Sequence, residues 1–397
     1  MTDHTWLAAQ RRALVDFAAG SLLPGGGFAW LDSAGVPLPD KPLATWITAR
    51  MTHVFALEEG LGDADAARFV DHGIAALRGP LHDDKHGGWF SSVEDSTKAA
   101  YEHAFVLLAA CGGQAAGRPG AEALLSEALD VVERYFWDDE VGLPFESWDA
   151  DWSTPEPYRG ANSTMHFVEA FLAAGDVTGD PVWHRRALGM AERLVHGVAA
   201  GLDWRIPEHF TPAWAPDLDY NRADPRHPFR PYGGTVGHWL EWARLLLHLE
   251  AALGADAPDW LLPDARALFD SAVRRGWAVD GHPGFVYTLD WDDRPVVRER
   301  MHWVVAEAVL SASALRKRTG VDDYARWYGV FWDYARAHHI DAERGGWRHE
   351  LSPDGTPTET VWPGKPDTYH AYQATLFPLL PLAPAAAKAI RDPQWTL

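Results

Sequence analysis

The sequence predicts an all-α protein, an (α/α)6 barrel in which twelve helices form two concentric rings. Two observations indicate this fold. Six turn-rich segments with a glycine or an aspartate beside an aromatic or apolar residue recur along the 397 residues, and amphipathic and more apolar helical segments alternate between them. A recurring unit of this size is the signature of a repeat architecture, in which each unit buries its apolar face against its neighbours.

The amphipathic segments predict the outer ring. The second of them shows the i, i+3, i+4, i+7 spacing of one helix face in Ala66, Phe69, Val70 and Gly73, with charged residues on the opposite face. A helix of this kind buries one stripe and leaves the rest in water. The six segments lie near residues 5–20, 64–79, 120–136, 180–197, 258–276 and 322–339.

The segments between them predict the inner ring. They are apolar on nearly all sides, as residues 105–110 illustrate, and a helix that is apolar all round is buried all round. Each segment carries a histidine near its start, and we expect these histidines to share one structural position. They are His53, His103, His166, His238, His302 and His370.

The turn-rich segments place a cup at one end of the barrel. They precede the inner helices, so we expect them to contain short strands and to cluster at the N-terminal ends of those helices. Helix N-termini carry partial positive charge and free N–H groups, which suits them to polar ligands. We predict one barrel domain over residues 1–397, with its functional site in this cup.

Composition and charge exclude several classes of function. The formal net charge is −21 and no basic cluster occurs, which argues against nucleic acid as a partner. No run of 18 apolar residues predicts a membrane span. The N-terminal residues lack the apolar core of a signal peptide, and Cys111, the single cysteine, rules out an internal disulfide. We therefore expect a cytoplasmic protein.

Tryptophan is unusually frequent and indicates a sugar site. The chain has 21 tryptophans, and many lie in loops beside Asp, Glu and Gly. Flat apolar rings fit the C–H faces of a pyranose while neighbouring polar groups bind its hydroxyls. The alternative is that the rings only anchor long loops to the core.

Histidines with polar neighbours are the candidate chemistry of the cup. Three inner segments place a polar side chain one turn after the histidine, on the same helix face, in the pairs His166–Glu169, His238–Glu241 and His370–Gln373. Three interpretations compete: packing, a metal site of the kind found between bundle helices, and general acid–base catalysis. The metal interpretation lacks the doubled carboxylates of di-metal bundles, so we expect no metal.

Three longer segments identify a resemblance. Residues 49–53, 229–242 and 364–373 resemble the N-acylglucosamine 2-epimerase superfamily, and the likeness extends over nearly the whole chain. The superfamily has the (α/α)6 fold and includes sugar 2-epimerases and aldose–ketose isomerases. Epimerase branches usually carry a tryptophan five residues before the last catalytic histidine, where this chain has Lys365. The segment looks instead like the mannose isomerase and sulfoquinovose isomerase branch.

The resemblance implies roles for individual residues. His370 matches the histidine that takes the proton from C2 of the opened aldose, and His238 matches the second catalytic histidine, which Glu241 would orient. Arg50 matches an arginine that contacts the sugar oxygens. The other expected substrate contacts are Trp46, Asn162, His166, Arg230, Trp303, Glu307 and Asp367. The family's chemistry implies no cofactor.

The leading hypothesis is a cofactor-independent isomerase that interconverts D-mannose and D-fructose through a cis-enediol. Sulfoquinovose isomerase and a sugar 2-epimerase are close alternatives, and Arg230 is the obvious spare cation for a sulfonate. A glycoside hydrolase would need two flanking acids, for which Asp149, Asp151, Glu241 and Glu307 are candidates. A non-catalytic sugar-binding barrel is the alternative of another class, and the oligomeric state stays open.

Overall fold

The computed structural model describes residues 4–395 and shows two rings of six helices. The inner helices are α2 (Thr45–Gly60), α4 (Ala100–Ala115), α6 (Ala161–Thr178), α8 (Val236–Leu253), α10 (His302–Thr319) and α12 (Tyr369–Leu376). The outer helices are α1 (His4–Ala19), α3 (Ala67–Leu77), α5 (Ala121–Val131), α7 (Pro181–Ala191), α9 (Leu261–Gly276) and α11 (Asp322–Tyr334). A last short helix, α13 (Ala386–Arg391), follows the barrel.

The inner ring is closed. Each inner helix contacts the next along the chain, and α12 returns to pack on α2 and on α1. The outer helices α3, α5, α7, α9 and α11 each pack on the inner helix that precedes them, while α1 packs on α12. The predicted barrel and its alternation of helices are therefore confirmed.

The burial pattern explains the division between the rings. In α3 the buried side includes Phe69, Val70, Ile74 and Leu77, as the amphipathic spacing predicts. In α4, by contrast, burial is continuous from Glu102 to Gly113. Because inner helices have protein on all sides, their sequences need no polar face except near the cup.

Short strands lie in the loops at the N-terminal ends of the inner helices, as predicted. They form small antiparallel pairs, each two or three residues long. The strands are β1 (Lys98–Ala99), β2 (Trp137–Asp138), β3 (Leu143–Pro144), β4 (Ser147–Trp148), β5 (Arg159–Gly160), β6 (His209–Phe210), β7 (Gly234–Thr235), β8 (Thr288–Leu289), β9 (Pro295–Val297), β10 (Arg300–Met301) and β11 (Glu350–Leu351).

The expectation that the six histidines share one position is wrong. His302 is the first residue of α10 and His370 the second of α12, whereas His53 is the ninth of α2 and lies two turns deeper. The equivalent positions are instead the second and sixth residues of each inner helix, one turn apart on the face toward the axis. They hold Trp46 and Arg50, Tyr101 and Phe105, Asn162 and His166, Gly237 and Glu241, Trp303 and Glu307, and His370 and Ala374.

Across residues 4–395, no helix combines the length and apolarity that crossing a bilayer requires.

Candidate active site

A cavity of about 650 Å³, including its open mouth, lies at the N-terminal ends of the inner helices. Its walls come from all six of them and from three connecting loops. The lining residues are Trp46, Arg50, Tyr101, Asn162, His166, Pro228, Phe229, Pro231, His238, Glu241, Tyr287, His302, Trp303, His349, Trp362, Pro366, Asp367 and His370. Half of these residues are aromatic or proline and half are polar or charged, a mixture that suits a small polar molecule.

His370 is held by a buried glutamate. Its Nδ1 lies 2.9 Å from Glu307 Oε1, and Glu307 is fully buried. The bond makes Nδ1 the donor, so Nε2 is the nitrogen left for the cavity. Burial lowers the pKa of His370, against the opposing influence of Glu307, so its imidazole is neutral and able to accept a proton.

His238 is held in the same way by a different residue from the one expected. Its Nδ1 lies 2.8 Å from Glu208 Oε2, and Glu208 Oε1 also accepts from the Thr235 backbone N–H at 3.3 Å. Glu241 lies elsewhere, against Arg244. The expectation that Glu241 orients His238 is therefore wrong, because Glu208 occupies His238 Nδ1 and Glu241 instead accepts from Arg244.

Trp303 lies between the two tethered histidines. Its ring centroid is 5.0 Å from that of His238 and 5.6 Å from that of His370, and the rings are tilted by 35° and 36°. The space for Trp303 is provided by Gly237, where a Cβ would overlap the indole ring. An apolar plate flanked by two imidazoles is suited to hold one sugar face between two proton carriers.

Arg50 brings a permanent charge to the cavity. Its Nη1 donates to Asp367 Oδ2 at 3.2 Å and its Nη2 to Tyr101 Oη at 2.8 Å. Its guanidinium lies 4.2 Å from the Phe105 ring centroid. Burial works against this charge, but Tyr101 and Asp367 keep the pKa of Arg50 above its usual value.

A second arginine lies beneath the cavity floor among three glutamates. Arg244 Nε donates to Glu307 Oε2 at 2.9 Å, Nη2 donates to Glu241 Oε1 at 3.3 Å, and Nη1 lies 3.5 Å from Glu169 Oε1. Burial and the Glu307 charge raise the pKa of Glu241 well above its usual value. Arg244 and His370 act in the opposite direction on Glu307 and lower its pKa against the effect of burial, so the two buried acids differ in how readily they hold a proton.

Several buried polar atoms in the cavity wall have no hydrogen-bond partner among residues 4–395, although His166 Nδ1 lies 4.0 Å from Glu241 Oε1. They are Asn162 Oδ1, His166 Nδ1, Glu241 Oε2 and both ring nitrogens of His302. His302 stacks on His349 with ring centroids 3.7 Å apart. Buried polar atoms without partners are costly, so their presence in one cavity indicates a hydroxyl-rich ligand.

In one wall of the cavity, three consecutive backbone N–H groups are bound by a single carboxylate. Glu350 accepts the backbone N–H groups of Thr360, Val361 and Trp362 at 2.8–2.9 Å. This arrangement presents the Trp362 ring to the cavity, where it meets Phe229 at 5.0 Å. The aromatic rim is therefore held by polar contacts behind it.

Most predicted site residues lie together, and several do not. Trp46, Arg50, Asn162, His166, His238, Glu241, Trp303, Asp367 and His370 line the cavity. Arg230 does not, because both terminal nitrogens of its guanidinium donate to Glu156, at 2.6 and 2.8 Å. Glu307 lies behind His370, with one oxygen bonded to that histidine and the other to Arg244. Asp149 and Asp151 are exposed in a loop outside the cavity.

Other lining or supporting residues were missed. They include Tyr101, and also Glu208, Arg244, His349 and Trp362, which carry no repeat signal. Tyr101 alone could have been found, since it occupies the second position of an inner helix as Trp46, Asn162 and Trp303 do.

Two sets of side chains have metal-like spacing: His166 with Glu169 and Glu241, and Glu241 with Glu307 and His370. Arg244 already supplies a cation to all three carboxylates, so these groups fit a guanidinium better than a metal ion.

Comparison with known proteins identifies the family. The family model of N-acylglucosamine 2-epimerase matches residues 26–374. The chain is 58% identical to a D-mannose isomerase of Thermobifida fusca over 98% of this chain and 97% of that protein. It is 53% identical to a D-mannose isomerase of Pseudomonas cannabina pv. alisalensis, over 98% and 95%.

A solved structure agrees with these relatives. A crystal structure of a D-mannose isomerase superposes with a TM-score of 0.87 at 30% identity, covering 94% of this chain and 97% of that one. The predicted family is therefore confirmed, and the chain belongs to the N-acylglucosamine 2-epimerase family.

Proposed function

We propose that this chain is a D-mannose isomerase, which interconverts D-mannose and D-fructose. One observation carries the proposal: His238 and His370, each tethered through Nδ1 to a buried glutamate, line one cavity on either side of Trp303. The relatives at 58% and 53% identity, both named D-mannose isomerase, support the choice of substrate.

The reaction needs two proton transfers on one face of an opened sugar. His238 assists opening of the pyranose ring, which leaves an aldehyde at C1. His370 Nε2 then takes the proton from C2 while the C1 oxygen gains a proton, and a cis-enediol forms. Return of a proton to C1 and loss of the O2 proton give the ketose. A neutral imidazole suits removal of the C2 proton, since it can accept a proton near neutral pH.

Arg50 stabilises the charge that develops on the sugar oxygens. Its guanidinium is oriented by Asp367 and Tyr101 before substrate arrives. A cation fixed in a water-poor site stabilises an enediolate more than a mobile one does, because no reorganisation is needed as charge appears. Asn162, His166, Glu241 and His302 supply the unpartnered atoms that bind the remaining hydroxyls.

The charge of the cavity argues against sulfoquinovose as the substrate. A sulfonate needs a cation that is not already neutralised. Arg50 is paired with Asp367, and Arg230, the expected sulfonate partner, is bound to Glu156 outside the cavity. The cavity therefore favours an uncharged sugar.

The cytoplasm is the compartment that we propose. The one cysteine, Cys111, is buried and has no second cysteine in the chain to pair with, which suits a reducing compartment. Fractionation of cells that express the full-length chain would test this location.

The test is conversion of D-mannose by purified, EDTA-treated protein in ²H₂O. We expect D-fructose that carries deuterium at C1, and loss of at least a hundredfold in kcat with His370→Asn. A matched control is His103→Asn, since His103 is buried outside the cavity. Absence of fructose from the wild-type reaction would refute the proposal. Accumulation of D-glucose without fructose would identify a 2-epimerase, and release of a reducing sugar from a mannoside would identify a hydrolase.

A further inference from the structure

The segment between β11 and α12 is irregular, yet it carries part of the cavity wall. Residues 361–368 form neither helix nor strand. Within them, Pro366 and Asp367 line the cavity directly ahead of His370. Something other than backbone ladders must fix this segment, because irregular backbone has no repeating hydrogen bonds of its own.

A buried lysine anchors the segment from behind. Lys365 is 2% exposed, and its ammonium donates to Asp341 Oδ2 at 2.8 Å and to the Gly345 carbonyl at 2.7 Å. Its backbone N–H donates to the Leu31 carbonyl at 2.8 Å. Lys365 is absent from the cavity lining, so its contribution to the site acts through its neighbours.

Asp367, two residues later, connects the anchored segment to the site. Its Oδ2 accepts from Arg50 at 3.2 Å and its Oδ1 accepts the Tyr369 backbone N–H at 2.8 Å, at the start of α12. Its carbonyl accepts from His349 Nε2 at 3.1 Å. One residue therefore orients the cavity's arginine, a wall histidine and the helix that carries His370.

The same anchor occurs a second time, ahead of inner helix α4. Lys98 donates to Asp83 Oδ2 at 2.7 Å and to the Gly87 carbonyl, and none of these three residues lines the cavity. Each aspartate and glycine lie at the tip of a short hairpin, residues 82–89 or 340–347. Both tips close through the same backbone bond, Gly87 N–H to the Asp83 carbonyl at 2.8 Å and Gly345 N–H to the Asp341 carbonyl at 2.9 Å. Arg300 holds Asp280 in a third hairpin.

We propose that Lys365 is a positioning residue for the isomerase reaction: its ion pair with Asp341 fixes residues 363–368, and through Asp367 it sets Arg50 and the start of α12. The inference rests on the proposed function for its kinetic readout. The duplicate anchor at Lys98 makes it testable, because both lysines bond an aspartate and a glycine carbonyl of a turn. Only Lys365 is followed directly by residues of the cavity wall, Pro366 and Asp367.

The experiment compares two double variants, Asp341→Asn/Lys365→Met and Asp83→Asn/Lys98→Met. Each removes both members of a buried lysine–aspartate pair, so neither of those two charges is left buried alone. The second partner of each aspartate, Arg348 for Asp341 and His86 for Asp83, is partly exposed and can be solvated. At a temperature where circular dichroism shows both folded, we expect the Lys365 pair to lower kcat/KM for D-mannose by tenfold to a hundredfold, since misplacement of about 1 Å at a site can cost a hundredfold. We expect the Asp83→Asn/Lys98→Met variant to keep kcat/KM for D-mannose within twofold of the wild-type value.

A second readout does not depend on turnover. Hydrogen–deuterium exchange should rise at residues 363–370 in the Lys365 variant and be unchanged there in the Lys98 variant. Lys365→Arg should retain kcat/KM within threefold, because Arg300 shows that arginine can hold such a hairpin. If the Lys365 double variant does not fold, Asp341→Asn against Asp83→Asn repeats the comparison, with a loss of threefold or more expected only for Asp341→Asn.

The outcomes separate the two proposals. Equal kinetic losses in the Lys365 and Lys98 variants, or a folded Lys365 variant with wild-type kcat/KM, would overturn the positioning role. A wild-type protein without mannose isomerase activity would overturn the proposed function instead, while the exchange comparison would still test the anchor.

Discussion

At the scale of single residues, the catalytic pair depends on acids that the substrate does not need to touch. Glu307 and Glu208 each fix the tautomer of one histidine, so that Nε2 is the nitrogen left for the cavity. A buried carboxylate in this position also supports the imidazolium that forms when the ring takes up a proton. The reactivity of the site is therefore set partly by residues outside its lining.

Glu208→Gln should lower kcat by about tenfold to a hundredfold with little change in KM. The amide can keep a hydrogen bond, but it loses the charge that supports the protonated His238 ring, so the loss falls on the chemical step. Steady-state kinetics with D-mannose measures both constants. Glu156→Gln, which alters a glutamate paired with Arg230 outside the cavity, is the control. A rise in KM alone would contradict this role for Glu208.

As the pH is lowered, the fall in kcat/KM should be centred below about pH 6.5, the ordinary pKa of a histidine. Burial lowers the pKa of His370, and the active form is the neutral ring. A lowered pKa keeps that ring neutral as the pH falls, so activity persists to lower pH than an exposed histidine would allow. The profile is measured from pH 4.5 to 8.5, with circular dichroism as the control for unfolding. A fall centred above pH 7 would show that another group controls the reaction.

At the scale of elements, the six inner helices use the same two positions for different purposes. The second and sixth residues face the cavity or its floor, and the sequence varies them from Trp46 and Arg50 in α2 to Gly237 and Glu241 in α8. A repeated backbone thus provides a regular scaffold, while the side chains at equivalent positions differ. Gly237 is the clearest case, because an absent side chain makes room for Trp303.

Gly237→Ala should therefore reduce kcat/KM by at least tenfold. The new methyl group would overlap the Trp303 ring and approach Val304 Cγ2 at 2.8 Å, which forces the indole away from the histidines. Gly189→Ala in α7 is the matched control, since nothing lies within 4 Å of its added methyl group. That control should raise stability by about 0.5–1 kcal/mol, because alanine restricts the unfolded chain and favours helix. Equal kinetics for the two variants would contradict this role for Gly237.

At the scale of the whole molecule, ring closure depends on contacts between the two ends of the chain. The last inner helix, α12, has only 8 residues, and it packs against α1, α2 and α10. A buried cluster joins the three N- and C-terminal helices: Arg11 Nε lies 2.7 Å from Glu58 Oε1, and Tyr372 Oη donates to the same oxygen at 2.9 Å. The barrel is thereby closed by polar contacts as well as by its apolar core.

Tyr372→Phe should destabilise the protein by about 1–2 kcal/mol and leave kcat/KM unchanged. The substitution removes one buried hydrogen bond to a charged acceptor while keeping the ring, and Glu58 retains Arg11 as a partner. Urea unfolding measures the free energy, and mannose kinetics on the folded variant is the internal control. A loss of kcat/KM greater than threefold would show that closure and catalysis are coupled.

The sequence by itself determined the barrel and about half of the cavity lining. Alternation of amphipathic and apolar segments is a local property of the chain, so the two rings could be derived from helix periodicity alone. Because inner helices begin at the cup, residues near their starts, such as Arg50, Asn162 and His370, could be assigned to one cavity. The family likeness then pointed to His238 and His370.

Only the tertiary structure decided which side chains pair. Glu208 reaches His238 from a loop 30 residues earlier in the chain, and Arg230, predicted to meet the substrate, is bound by Glu156. The depth of each histidine in the barrel was also decided by the tertiary structure. The inner helices begin at different distances before their histidines, so histidines that align in sequence do not lie at equivalent positions. Periodicity determines which face of a helix is buried, but contacts between loops depend on how distant segments pack, and no local pattern encodes that.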